Sequence, residues 1–362
     1  MVRILILLAL LTVHLHAEVL DTAALQKVIK KAVNLMDRNL PTEAIIAWDQ
    51  AIALRPDFLP YKYERTICLM MDKKYSQAQV ELLGMYRDTS LFDRGFQLLG
   101  NCYDFLGDTS KARSTYREGL QAWPKSGRLH LEMGNASYLD NNPKAALEWW
   151  AKGARAEPQY PSNYYQIATT FAFTPYRFWA LLYGEAFLNL ERGSQRYAEV
   201  SSLLFQIWQK GINPGTSDPV HFASAEVIEQ ASDNNPSAMS FPMAFDYTVA
   251  AALAIERKNG TIKDSVKLGT AQLVALRSRF LKLWKESGYF EKYPNDILDF
   301  NATVQHSGWL NEYLWWLYSF GDKAASNQNY QTNEARYDTF LAWFGDHLLD
   351  AEKPLCIGFQ CQ

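Results

Sequence analysis

Residues Phe96-Gln-Leu-Leu-Gly-Asn-Cys-Tyr103, followed by Ala112, Tyr116 and Pro124, decide the fold. Stepping 34 residues in either direction finds the same pattern again. Ala44, Ala78, Ala112, Ala146 and Ala180 keep this step. So do Gly100 and Gly134, Gly119 and Gly153, and Pro124 and Pro158. Trp48, Leu82, Tyr116 and Trp150 fall four places after the first four alanines. A fixed period of this length means one supersecondary unit copied along the chain. Small residues recur where two helices must cross closely, and bulky ones fill the space beside them. Proline ends a helix because it removes a donor and disfavours helical geometry in the residue before it.

This pattern resembles the tetratricopeptide repeat, a helix-turn-helix unit of the same period. The resemblance covers about Leu25 to Ser194 in five units. The second unit, about Leu59 to Phe92, is the weakest: Thr66 and Ser90 stand where glycine and proline are expected. The fifth keeps Ala168, Phe171 and Ala180 and has Arg192 in place of the proline. The implied fold is an all-α solenoid, because one unit cannot bury its apolar face alone and neighbours must stack.

In that family the second, fifth, ninth, twelfth and thirteenth places of each unit face a concave groove. Here they are Tyr63, Ile67, Met70 and Met71 in the second unit and Arg94, Gln97, Asn101, Asp104 and Phe105 in the third. The fourth gives Arg128, Leu131, Asn135, Tyr138 and Leu139, and the fifth Tyr165, Thr169 and Phe173. Arginines can pair carboxylates and asparagines can bond an extended backbone, so the candidate partner is a protein or peptide. The alternative is an ordinary solvated helix face. Chaperone-binding members of the family carry a clamp of basic and amide residues. Glu132 and Gln166 occupy two of those places, so that specificity is not carried over.

The first residues carry one cation, Arg3, then an apolar run from Ile4 to Val13 and small Ala17. This is the layout of a secretory signal peptide cleaved after Ala17, and the run is too short to span a bilayer. The expected domains are therefore 1–17, a leader; 25–194, the solenoid; and 195–362, a C-terminal helical region. Export places the chain in a periplasm or outside the cell. No later segment is long and apolar enough for a membrane helix. The few cysteines lean the reading towards a bacterial source.

Net charge is −3, from 36 basic and 39 acidic residues. That balance excludes the basic footprint that nucleic acid demands. With 48% hydrophobic residues the chain can build a core, and 14% aromatics is high. Cys356 and Cys361 could close a small disulfide loop if their geometry permits. Cys68 and Cys102 share one place in adjacent repeats, too far apart to bridge easily, and read as buried small residues.

Beyond Ser194 the step fails at Pro214. Helices are expected over about 197–210, 221–231, 242–258, 262–285, 295–304, 308–320 and 332–349, with loops at 232–236 and 326–332. Trp309, Tyr313, Trp316 and Phe320 form one aromatic stripe and Tyr337, Phe340, Leu341 and Phe344 another. Core packing between two helices is the ordinary fate of such stripes. Trp315 and Tyr318 lie off the stripe and are the candidates for an exposed platform for glycan or peptide.

Catalytic signatures are sparse. His130, His221, His306 and His347 have no ligand spacing, and neither a metal nor a cofactor is expected. Asp299 and Glu312 near His306 could serve as paired carboxylates in a helical hydrolase, as any acidic helical segment could. Asn135-Ala-Ser, Asn259-Gly-Thr and Asn301-Ala-Thr match the glycan acceptor pattern, relevant only in a eukaryotic secretory pathway. The reading that fits best is a non-catalytic scaffold of the cell envelope.

Overall fold

The computed structural model describes residues 22–213, 215–216, 219–222, 239–263 and 267–357. The expected leader at 1–17, the expected helix at 221–231 (beyond Phe222), the expected loop at 232–236 and Cys361 lie outside them. Apart from one isolated bridge, Ile212 with Val220, the described residues form helices and turns. No described helix is long and apolar enough to cross a membrane. The chain divides into two compact units, one ending at Asn142 and one beginning at Pro143.

The first unit holds α1 (22–37), α2 (Pro41–Leu54), α3 (Leu59–Met71), α4 (Tyr75–Leu83), α5 (Arg94–Phe105), α6 (Thr109–Ala122) and α7 (Gly127–Leu139). α2 and α6 each stop two residues before their proline. The intervening Arg55 and Trp123 have extended φ of −140° and −128°, as a residue before proline requires. Where the proline is missing, α4 ends early at Leu83 and a 3-10 turn, Thr89–Leu91, completes the unit. Asp88 caps that turn by accepting from the Ser90 amide at 2.9 Å.

The periodic residues do what their spacing predicts. Ala44, Ala78 and Ala112 are fully buried, with Trp48, Leu82 and Tyr116 packed beside them. Gly100 is required by closeness: a Cβ there would sit 2.1 Å from Cε1 of Tyr116. Cys68 and Cys102 are buried free thiols, and burial pushes their pKa values up to about 11 and about 12.

The second unit holds α8 (Pro143–Ala156), α9 (Pro161–Phe171), α10 (Arg177–Leu190), α11 (Gln195–Gly211), α12 (Phe241–Lys258), α13 (Thr270–Glu286), the single turn α14 (Tyr289–Lys292), α15 (Asp296–His306), α16 (Leu310–Leu317) and α17 (Lys323–Asp346). Every residue of α10 from Phe178 to Asn189 is buried. A helix buried on all sides belongs in the middle of a fold, and α9, α11 and α15 pack against it.

That central helix carries Glu185 inward to Arg277 of α13, with 3.0 Å between Nη2 and Oε2. Asn301 donates to Glu185 at 2.6 Å and Tyr313 at 2.8 Å, while Arg277 donates to Tyr318 Oη at 2.8 Å and to Asn301 Oδ1 at 2.6 Å. Burial opposes the Arg277 charge, but the Glu185 carboxylate overcomes that and holds its pKa above the ordinary arginine value.

Three expectations for this half need correcting. The tract 326–332 is helical, not a loop: α17 begins at Lys323 and breaks only at Asn333, whose φ/ψ is non-helical. Trp315 and Tyr318 are buried, so neither forms a surface platform. The helix ends at Leu317, so the helical wheel that put Tyr318 outside stops one residue short of it. Asn301 is fully buried within the Glu185 cluster and is not an accessible acceptor. Of the aromatic stripe, Tyr313 is core and Trp316 is partly buried, with Phe344 packing on Trp316 at 4.9 Å and on Tyr313 at 5.6 Å, while Phe320 is exposed.

Candidate functional site

In the first unit, α5 and α7 bring most of the expected groove residues onto one face. Ser126 caps α7 by accepting from the Leu129 amide at 3.0 Å. Its hydroxyl donates to Asp93 at 2.6 Å, and Asp93 also faces Arg128 at 3.4 Å. The two helix starts are thereby tied together. From there a row of polar contacts runs along both helices. Arg128 donates to Gln97 at 3.1 Å, Gln97 to Glu132 at 2.6 Å, and Asn135 to Glu132 at 3.1 Å.

Asn101 and Asp104 belong to the same face, but their oxygens are already engaged. The Tyr116 hydroxyl lies 2.7 Å from Asn101 Oδ1 and 2.8 Å from Asp104 Oδ2. The two asparagines therefore help hold the array, and are not both idle groups awaiting a peptide. What the face presents to solvent is Arg94 near its start, and Phe105, Tyr138 and Leu139 near its end, at 61%, 52% and 78% exposure. Tyr165 lies on α9 in the second unit, where its hydroxyl donates to Glu199 at 3.3 Å.

Glu132 is the residue that sequence reasoning underrated. It appeared only as a departure from a known clamp, yet it is the acceptor on which Gln97 and Asn135 converge. Burial raises its carboxyl pKa, against the hydrogen bonds from Gln97, Asn135 and Asn101. A carboxyl raised in the folded state holds its proton more tightly folded than unfolded. Its contribution to stability is therefore complete below the ordinary glutamate value and is lost as pH rises through the raised one. Measured against Glu132→Gln, the wild-type chain should gain thermal stability as pH falls through that window. A difference that stays flat with pH would show that Glu132 is not strained by burial.

The other candidate chemistry does not converge. Glu312 is buried and accepts from Arg336 at 2.5 Å, whereas Asp299 and His306 are exposed on α15.

Within the first unit the step of 34 residues coincides with one helix pair, and Gly100 meets Tyr116 where α5 crosses α6. The repeat has the period and the helix-pair form expected of a tetratricopeptide repeat. No protein-family model matches the chain, and no curated protein matches it. Solved structures do. A MamA RS-1 double mutant is 20% identical over 37% of this chain and 75% of its own, with a TM-score of 0.32. PilF of Pseudomonas aeruginosa is 16% identical over 60% and 95%, with a TM-score of 0.39. YrrB, a tetratricopeptide protein described as having an unusual peptide-binding site, is 17% identical over 47% and 92%, with a TM-score of 0.31. At these values the likeness carries no argument about this chain, and the tetratricopeptide reading rests on its own 34-residue step.

Proposed function

We propose that this protein is a non-catalytic scaffold that holds an extended segment of a partner protein along the α5–α7 face of its tetratricopeptide array, outside the cytoplasm. The observation that carries the reading is the face itself. A fixed polar row, Arg128–Gln97–Glu132–Asn135, lies between one exposed cation, Arg94, and the exposed apolar side chains Phe105, Tyr138 and Leu139. Such a surface offers a cation to an acidic group at one end of a peptide and an apolar patch to the other end, with backbone partners between. Internal hydrogen bonding fixes the row in advance, which lowers the ordering cost of binding. The leader at 1–17 supports export.

The test is a crosslinking pull-down from the exported fraction of the producing cell. Wild type is compared with a chain carrying Arg94→Ala, Phe105→Ala and Tyr138→Ala, all exposed positions whose loss spares the core. A defined set of partners should be recovered with wild type and lost with the variant. The same partners in both samples would remove the groove from the reading. Absence of the chain from the exported fraction would remove export.

A further inference from the structure

From the second repeat to the fifth the thirteenth place is apolar, at Met71, Phe105, Leu139 and Phe173, and one further step of 34 residues reaches Ile207. Burial does not account for it at Phe173, which is 86% exposed just beyond the end of α9. Its successor Ile207 is buried on α11. Between them, wholly inside the second unit, opens a cavity of about 550 Å³. Its apolar wall is Phe173, Pro175, Leu203 and Ile207, and its polar groups include Arg177 and Lys210.

Among the described residues that line this cavity the charged ones are Arg177 and Lys210, and none is a carboxylate. Glu199, two turns back along α11, is engaged by the Tyr165 hydroxyl at 3.3 Å and by Gln195 at 3.1 Å. Arg177 is held in place by donating to the His221 carbonyl at 3.2 Å. We infer that this cavity is a second binding site, and that it takes an acidic peptide segment carrying a bulky apolar side chain. The apolar side chain would lie against Phe173 and Leu203, with its neighbouring carboxylate towards Arg177 and Lys210. The volume lies in the range of pockets that enclose a small ligand, and a wall that is largely apolar favours such a segment over a bare anion. This site is separate from the α5–α7 face and stands without it.

The probe is a short fluorescein-labelled peptide alternating glutamate and leucine, titrated with the full chain and read by fluorescence anisotropy. Peptides alternating lysine with leucine and glutamate with serine are the controls. Binding of the glutamate–leucine peptide should weaken about tenfold or more in Phe173→Ala and in Lys210→Glu, both exposed positions, and equally in either control peptide. Arg94→Ala, in the first unit, should leave it unchanged, which separates this site from the groove. Circular dichroism melts confirm that each variant is folded. Failure to bind overturns the inference, as does binding indifferent to Phe173→Ala and Lys210→Glu. Full competition by inorganic phosphate would reduce the cavity to a plain anion site, and loss in Arg94→Ala would return the peptide to the groove.

Discussion

Arg277→Ala is expected to cost the second unit about 3–5 kcal/mol, the usual penalty for removing one partner of a buried ion pair. Both charges are secluded, Arg277 at 7% and Glu185 at 3% side-chain exposure. With the guanidinium gone, the Glu185 carboxylate keeps two donors, Asn301 and Tyr313, but loses the only opposite charge in its hydrogen-bonded cluster. Urea unfolding followed by tryptophan fluorescence measures this, because all of the 11 tryptophans except Trp48 and Trp123 lie in the second unit. Pairing Arg277→Met with Glu185→Leu should recover much of the loss, since removing both charges leaves neither stranded. A single variant as stable as wild type would mean that the pair does not hold α10, α13 and α15 together.

Gly100→Ala is the second large effect. In an exposed helix this change stabilises by about 1 kcal/mol, because glycine is a poor helix former. Here the new methyl would meet the Tyr116 ring at 2.1 Å. The ring has no easy retreat, since its hydroxyl is fixed on Asn101 and Asp104. The expected net result is a loss of about 1–3 kcal/mol in the first unit, the range for an overpacked core. Shortening the neighbour with Tyr116→Leu should relieve part of it, and a double-mutant cycle reads that coupling. If the alanine variant gained stability, the close crossing of α5 and α6 would be wrong.

These two predictions also show what the sequence could and could not reveal. Gly100, the alanine series and the prolines were legible because a repeated crossing imposes a repeated size, and size is written in residue type. The Glu185–Arg277 pair was not legible. Its partners lie 92 residues apart, Glu185 in the fifth repeat and Arg277 beyond the periodic region, so no step links them. The groove face was half legible. Register put Arg94, Gln97, Asn101 and Asn135 at places expected to face a groove, but could not show that Glu132 and the Tyr116 hydroxyl engage several of them. Tyr318 was misread because a helical wheel assumes that the helix continues, and α16 stops at Leu317; Trp315 was misread because α16 is buried on more than one side. The tract at 326–332 was misread on composition, since Ser, Asn and Gln favour turns only where no neighbouring turn of helix is there to extend.

The two sealed thiols of the first unit have a practical use. Cys68 and Cys102 are fully buried, and their thiolates are suppressed at neutral pH, so an alkylating reagent cannot reach or react with them while α3 and α5 remain packed. Their modification therefore counts openings of that unit alone, while the tryptophans report chiefly on the other. A chain with this distribution carries its own pair of independent unfolding gauges, and the two halves can be timed separately in one sample without adding a label.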